Sequence, residues 1–294
     1  MSLLLGILEQ GIIYAIMALG VYITYKILDF PDLTVDSSFP LGAAVTATML
    51  LSGQNPFVTL LASFAAGCVA GVVTGVIHVK FGVRDLLSGI ITMTALYSIN
   101  LHVAGGKANL PFFTSDTIFK NSLVNSIFTG EASRYAVLVV SLVVALVAKL
   151  LLDAYLKTKS GYLLRAAGDN SNVVTALAKD CGSVKILGLA ISNGLVALSG
   201  SVLSQQQRFF DVTMGTGTIV MGLAIVIIGT NIFRNISFVK ATSAVFVGSI
   251  LYKACVSIAI SCGLSSNDMK LVTAVLFLAI LVAGNLKKGG KIRA

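Results

Sequence analysis

"SSFPLGAAVTATMLLSGQNPFVTLLASFAAGCVAGVVTGVIHV", Ser37–Val79, contains no aspartate, glutamate, lysine or arginine. At about 20 apolar residues per crossing, an uncharged run of this length serves two passes through a lipid bilayer. The rest of the chain has the same character. Of its 294 residues, 56% are hydrophobic and 11% charged, and the mean hydropathy is +0.93. Soluble domains carry about 25% charged residues, so a water-exposed globule is excluded. Leu86–Gly106, Ile186–Gln207 and Val212–Phe233 are also uncharged, and each is long enough to cross once.

The expected fold is therefore all-α: a polytopic integral membrane protein forming one transmembrane domain over 1–294. The apolar runs place spans at 4–25, 39–53, 57–79, 86–104, 135–152, 186–204, 214–233, 239–256 and 270–286. That makes about nine, within a range of roughly eight to ten. Lys149 and Lys253 fall inside two of these runs and are expected to snorkel toward an interface.

The formal net charge of +9 does not indicate nucleic acid, because the basic residues cluster between apolar runs. Lys80 and Arg84, the 157–185 segment, Arg234 and Lys240, and the tail "KKGGKIRA" fall on one side if the spans alternate. The positive-inside bias makes that side cytoplasmic, with the N-terminus outside and the C-terminus in the cytoplasm. No Lys or Arg precedes the first apolar run, so a cleaved signal peptide with a basic start is not supported. The multi-pass protein is expected in a bacterial cytoplasmic membrane.

Chemistry-bearing patterns are sparse. Cys68, Cys181, Cys255 and Cys262 show no metal or redox spacing and read as free thiols. His78 and His102 stand singly near span ends, where interfacial packing is expected. There is no GxxxxGK[ST] phosphate loop, HExxH or nucleophile elbow, so neither an ATP site of that type nor an enzyme is expected.

Two connections are long: an external loop at 105–134, in which "KNSLVNSIF" could form a short interfacial helix, and a cytoplasmic loop at 156–185. The latter reads "KSGYLLRAAGDNSNVVTALAKDCGSVK". Asp169, Asn170 and Ser171 are good N-cap residues, "NVVTALAK" supplies a turn or two of helix, and Gly182 is a plausible stop. Such an element serves either as a docking helix for a cytoplasmic partner or as a solvated connector.

The loop resembles the coupling loop of ABC importer permeases of the branched-chain amino acid, ribose and simple-sugar family. Arg165, Ala166, Gly168, Asn170, Ala176 and Gly182 carry the likeness, with Asp169 between them; Asp180–Cys181 depart from it. "DLTVDSSFPLGAAVTA", Asp32–Ala47, resembles the same family's Asp-Leu-Ser/Thr segment before a Gly-rich helix, in the branch served by binding lipoproteins, some for aromatic amino acids. The resemblance implies a non-catalytic permease moving a small solute inward, an amino acid first. It implies cytoplasmic ATPase subunits as partners, with ATP and magnesium held there and no cofactor in this chain. It also implies an external solute-binding lipoprotein and a second permease copy or homologous permease.

The segment from Asp29 to Pro40 also has its own physical reading. Pro31 pushes Phe30 to extended geometry, and Pro40 suits a first helical turn, so the backbone between them is expected to be a broken helix. Non-helical backbone at membrane depth is tolerated only inside protein or along a wet cavity. Asp32, Thr34, Asp36, Ser37 and Ser38 could cap the next helix, satisfy freed N–H groups or face a solute. Alternatively, Asp29 and Asp32 are loop residues paired with Lys26. "DVTMGTGTIVMGLAIV" from Asp211 echoes the pattern, with Asp211, Thr213 and Gly222 matching Asp32, Thr34 and Gly42; the first segment is expected near the cytoplasmic side and the second near the outside, as an inverted repeat requires. The runner-up function is a self-contained secondary transporter with Asp32 or Asp36 as its ion or proton site. Gly67, Gly71 and Gly75 lie on one helix face and are expected to form a packing seam.

Overall fold

A computed structural model of the chain describes residues 2–128, 130–170, 174, 180–234, 236, 238–261, 268, 270–275, 277–279 and 282. Helix α1 (Ser2–Tyr22) runs into a π-helical turn, Ile23–Ile27, and an irregular segment leads to α2 (Val35–Leu51). Next come α3 (Pro56–Lys80), α4 (Asp85–Val103), strand β1 (Asn109–Pro111), the short α5 (Ser122–Ile127) and α6 (Ala136–Tyr155). The second half holds α7 (Lys159–Asp169), α8 (Cys181–Gln207), β2 (Phe209–Asp211), α9 (Thr218–Ile232) and α10 (Ala241–Ser261).

Among the described residues six helices are long and apolar enough to cross a bilayer: α1 with its π turn, α3, α4, α6, α8 and α10. Helices α2 and α9 are apolar but shorter, and the span expected at 270–286 lies largely outside the described residues. The protein is thus a polytopic membrane bundle, and the full count of nine remains an expectation.

Helix α8 is the central post, packed by α1, α2 and α3. Its sequence explains why: small residues let neighbouring backbones close in, and buried hydroxyls hydrogen-bond across to them. A Cβ at Gly67 or Gly71 of α3 would run into the carbonyl of Asn193 or Leu189 on α8, and one at Gly75 would lie 2.9 Å from the Ile186 Cα. The predicted glycine seam is therefore real, and it faces α8. Ser192 and Ser199 donate to the carbonyls of Gly20 and Ile13 on α1, both at 2.8 Å. Thr46 of α2 meets Ser63 of α3 at 3.0 Å and Ser201 of α8 at 2.5 Å, tying three helices together.

Several expectations need correction. The fold is not purely helical: β1 and β2 pair antiparallel, with Leu110 opposite Phe210. Arg208 takes φ 61°, ending α8, and the chain turns extended over a small apolar cluster containing Leu110, Phe112 and Phe210. The 105–134 loop is thereby fastened to the end of α8, and "KNSLVNSIF" does contain a helix, α5, capped by the Asn121 side chain on Val124 N–H at 2.9 Å. The break before α2 is shorter than expected: α2 starts at Val35, and Pro40 lies inside it rather than in its first turn. The Asp36 carbonyl that Pro40 leaves free packs against Gly215.

Lys253 does not snorkel. It is 4% exposed, its ammonium lies 3.9 Å from the Tyr14 ring centroid, and it donates to Gln10 Oε1 at 3.3 Å. The tyrosine face and amide oxygen replace water for a cation that cannot reach it. Lys149 points along α6 to Asp153, 3.2 Å away. Cys68, Cys181 and Cys255 are free thiols. His78 bonds the Val83 carbonyl at 2.9 Å, and His102 bonds the Ser98 carbonyl.

Because the α3–α8 seam has no room for a side chain, Gly71→Leu is expected to destabilise the bundle by ~1–3 kcal/mol or more. The exposed-turn substitution Leu51→Ala on α2 should cost far less. Thermal unfolding of the two variants in one detergent checks this; equal midpoints would show that the seam can open.

Candidate functional site

The residues Asp29–Thr34 lead into a helix too short to cross alone. Helix α2 has 17 residues and α9 has 15, giving about 26 and 22 Å at ~1.5 Å per residue, against a hydrocarbon core of about 30 Å. Each is completed by irregular chain at its N-terminal side, and the two N-termini meet.

Asp36, in the first turn of α2, makes the join. Its Oδ2 accepts from Gly217 N–H at 3.0 Å. Its Oδ1 accepts from Ile219 N–H at 2.8 Å and from the Thr218 hydroxyl at 3.0 Å. The first N–H groups of α9 have no intrahelical acceptor, so a carboxylate from another element serves as their cap. Gly217 has φ +85°, a left-handed turn that delivers those N–H groups to Asp36, and Gly215 lets the turn lie on the α2 backbone.

Asp32 is buried at 1% exposure. Its Oδ1 accepts from Thr34 N–H at 2.9 Å, and its Oδ2 accepts from Asn193 Nδ2 at 2.7 Å. Asn193 in turn accepts from the Ser38 hydroxyl at 2.7 Å. Thr34 pairs with Thr74 of α3 at 2.9 Å. Ser37 donates to the Met93 carbonyl at 2.8 Å, and its own carbonyl accepts from Asn100 Nδ2 at 3.0 Å. Asp32, Thr34, Asp36, Ser37 and Ser38 thus form one network joining α2, α3, α4, α8 and α9. Within it, Asn100 Oδ1 is buried and has no hydrogen-bond partner.

Asp211 and Thr213 are not part of this network. Asp211 Oδ1 accepts from the N–H and hydroxyl of Thr213 at 2.8 and 2.5 Å, and Oδ2 accepts from Asn109 Nδ2 at 3.3 Å. Partial burial would push this carboxyl up, but the donors outweigh it and hold the group below the usual carboxylate range. The segment from Asp211 to Gly217 therefore starts at the Gln207 end of α8 and drops inward to Asp36. No ion pair among the described residues joins Lys26 to Asp29 or Asp32. Asp29 takes φ 51° at the exposed turn after the π segment.

The loop residues separate as well. Arg165, Ala166, Gly168 and Asp169 belong to α7, a helix not anticipated there, and Asn170 is its C-cap; the helix expected over "NVVTALAK" lies almost wholly outside the described residues. Thr158 begins α7 by accepting from Gly161 N–H at 3.2 Å. Arg165, Asp169 and Asn170 are exposed, whereas Gly168 abuts the Ile27 carbonyl and seats α7 on the end of α1. Gly182 does not stop a helix; it lies in the first turn of α8, where the Asp180 carboxylate accepts its N–H at 2.9 Å. The Ser183 hydroxyl and these N–H groups hold Asp180 below the ordinary carboxylate range. Ala176 lies outside the described residues.

Asn193, Asn100, Thr74 and Thr218 belong to the site and were not read from the sequence. A usable signal was the run of Ser192, Asn193, Ser199, Ser201 and Ser204 in an otherwise apolar span, since polar groups at that depth need partners.

Half-helices whose N-termini meet inside a lipid-length bundle recur in membrane transporters. Comparison with known sequences agrees: the family model described as "Branched-chain amino acid transport system / permease component" matches residues 3–283. The chain belongs to that family and is the permease component of an ABC importer. It is 47% identical over 286 residues, 97% of this chain and 92% of the relative, to the tyrosine transport system permease protein of Clostridioides difficile (strain R20291). It is 28% identical over 70% of its length to the probable branched-chain amino acid transport permease protein LivH of Methanocaldococcus jannaschii, covering 68% of that protein. It is 26% identical over 77% of its length to the ribose import permease protein RbsC of Haemophilus influenzae, again covering 68%. No solved structure gives a significant match. The self-contained secondary transporter is not favoured.

If Asp36 works as an acceptor, Asp36→Asn keeps the oxygen on Ile219 N–H but turns an amide N–H toward Gly217 N–H, so it should cost about 1–3 kcal/mol, less than the loss of both oxygens. Asp36→Leu strands up to three donors, at about 1–3 kcal/mol for each that stays buried. Thermal stability and uptake at matched expression separate the cases. Well-folded Asp36→Asn without transport would instead mark a titrating site.

Proposed function

We propose that this permease carries an amino acid inward, with tyrosine or another aromatic amino acid as the first candidate. The observation that carries the reading is the 47% identity, along 97% of the chain, to a permease described as serving tyrosine. Solute arrives from an external binding lipoprotein, and ATP with magnesium is hydrolysed on cytoplasmic ATPase subunits, so this chain is not itself catalytic. A second permease, identical or homologous, completes the membrane unit.

The pathway runs beside the junction of α2 and α9. Asp32, Thr34, Asp36, Ser37 and Ser38 shape it mainly by holding backbone in place, since their polar atoms are already engaged. Such a wall binds solute weakly, which suits a permease whose selectivity lies in its binding protein. The loop at 156–185 is the ATPase docking element: Arg165, Asp169 and Asn170 are exposed on it, and Gly168 lies against the bundle. Movement of α7 reaches the end of α1 through Gly168 and α8 through Leu164, which lies against Gly188. The N-terminus lies outside and the C-terminus in the cytoplasm of a bacterial cell membrane.

Reconstituted with its ATPase and lipoprotein, the permease is expected to take up labelled tyrosine only with magnesium and ATP, and excess phenylalanine should compete better than leucine. Gradient-driven uptake by the permease alone would overturn the reading. A cysteine at Ser115 should react with an impermeant thiol reagent from outside, and one at Lys159 only once the membrane is opened. The opposite pattern would reverse the orientation.

A further inference from the structure

At the end of the bundle opposite the β1–β2 pair, a cavity of about 550 Å³ opens between the ends of α1 and α6, the start of α10 and the side of α7. Four cations line it, Lys26, Lys157, Arg165 and Lys240, against two carboxylates, Asp153 and Asp169. One of those carboxylates is already committed. Asp153 accepts from the Thr242 hydroxyl at 2.6 Å and pairs with Lys149 at 3.2 Å and Lys240 at 3.4 Å. Lys26, Lys157 and Arg165 are exposed, and none forms an ion pair with a carboxylate among the described residues.

We infer that this cavity is a binding site for a phosphate-bearing anion, the phosphodiester headgroup of an anionic phospholipid. Three unpaired cations converge there from three different elements, which a solvated face of scattered charges does not require. The depth is that of a headgroup: the crossing helices end at Ile27 and Tyr155 and begin at Ala241, all at the cavity. Basic pockets between spanning helices at this level suit anionic headgroups. The surroundings favour a lipid over a free ion. Tyr22 and Leu156 give the wall an apolar part, and Tyr162 on the rim is 60% exposed. Phe238, two residues before Lys240, is 96% exposed, as suits a side chain that meets acyl chains.

The site would also tie lipid to mechanism, a consequence that rests on the docking reading above. Arg165 and Asp169 belong to α7, and Lys26 to the π turn on which Gly168 sits. A headgroup bridging Lys26, Lys157 and Arg165 clamps α7 to the bundle. Binding itself is independent of the ATPase and is tested on the permease alone.

The test uses full-length permease purified from mixed micelles of phosphatidylglycerol and phosphatidylcholine, with retained lipid counted by native mass spectrometry. Wild type is expected to keep phosphatidylglycerol selectively. Lys26→Gln/Lys157→Gln should weaken that retention roughly 30-fold, about five-fold per lysine. Lys80→Gln/Arg84→Gln removes two exposed charges from the same end outside the cavity and should change little. Equal retention in wild type and the Lys26/Lys157 variant, or equal loss in the control, overturns the site. Tight binding of inorganic phosphate that displaces the lipid would assign the cavity to a soluble phosphate ligand. Displacement of the lipid on adding the ATPase would assign it to that protein. Either result overturns the lipid assignment.

Discussion

Two helix N-termini face one another inside this bundle, and each carries roughly half a positive charge from its aligned peptide dipoles. Left alone they would repel across a medium too dry to screen them. The Asp36 carboxylate sits between them, in the first turn of α2 and on the first N–H groups of α9. One negative group therefore answers both dipoles and supplies hydrogen-bond acceptors that water cannot. Asp32 repeats the arrangement one turn earlier, holding Thr34 N–H and the Asn193 amide. Two short helices stand in place of two full crossings with Asp32 buried and Asp36 half-buried between them, each carboxylate holding backbone N–H groups.

That arrangement constrains the rest of the bundle. Burying Asp32 demands a donor on α8, and Asn193 provides it, its Nδ2 donating to Asp32 Oδ2 at 2.7 Å. Approach this close requires α8 to shed side-chain bulk, which is why it meets neighbours through carbonyls: Gly67 and Gly71 lie on its backbone, and its own Gly200 lies on the Phe39 carbonyl of α2. The hydroxyls of Ser192 and Ser199 then bind α1 where lipid-like side chains would give only dispersion. Polar junction and glycine seam are two consequences of one requirement.

Most of the crossing helices were legible in the sequence because charge is expensive in hydrocarbon, but an uncharged run does not separate a full span from the half-helices α2 and α9. The Gly67–Gly75 stripe was legible for the same reason: spacing alone puts small residues on one face. The α7 helix was missed, since "LLRAAGD" is amphipathic and short, and Asp169 and Asn170 are good caps for a helix on either side. Asp180, not Gly182, marks the true boundary, because a carboxylate that accepts two successive N–H groups outweighs a glycine that has no need of a left-handed turn. Lys253 defied the snorkelling rule because an aromatic ring and an amide oxygen on α1 were nearer than water, a fact of packing that no local pattern contains. The Asp36–α9 contact spans more than 180 positions, and only the echo of Asp-x-Thr in both halves hinted at it.

The polar atoms at the junction are taken up by the protein itself rather than left for a ligand. Asp32, Asp36, Ser37 and Ser38 are each engaged with protein, and the acceptor left open is Asn100 Oδ1. On the pathway proposed above, a wall with most acceptors spent on its own protein has little free energy to offer a passing amino acid. The same spending makes the junction a mechanical element: α2 and α9 are joined through side-chain oxygens and a glycine turn rather than through continuous backbone. A shift of α9 relative to α2 must therefore exchange hydrogen bonds at Asp36, and it can do so without unwinding either helix. Rigid half-helices hinged on one carboxylate concentrate any relative motion of α2 and α9 where the two irregular segments meet, at the wall of the pathway proposed above.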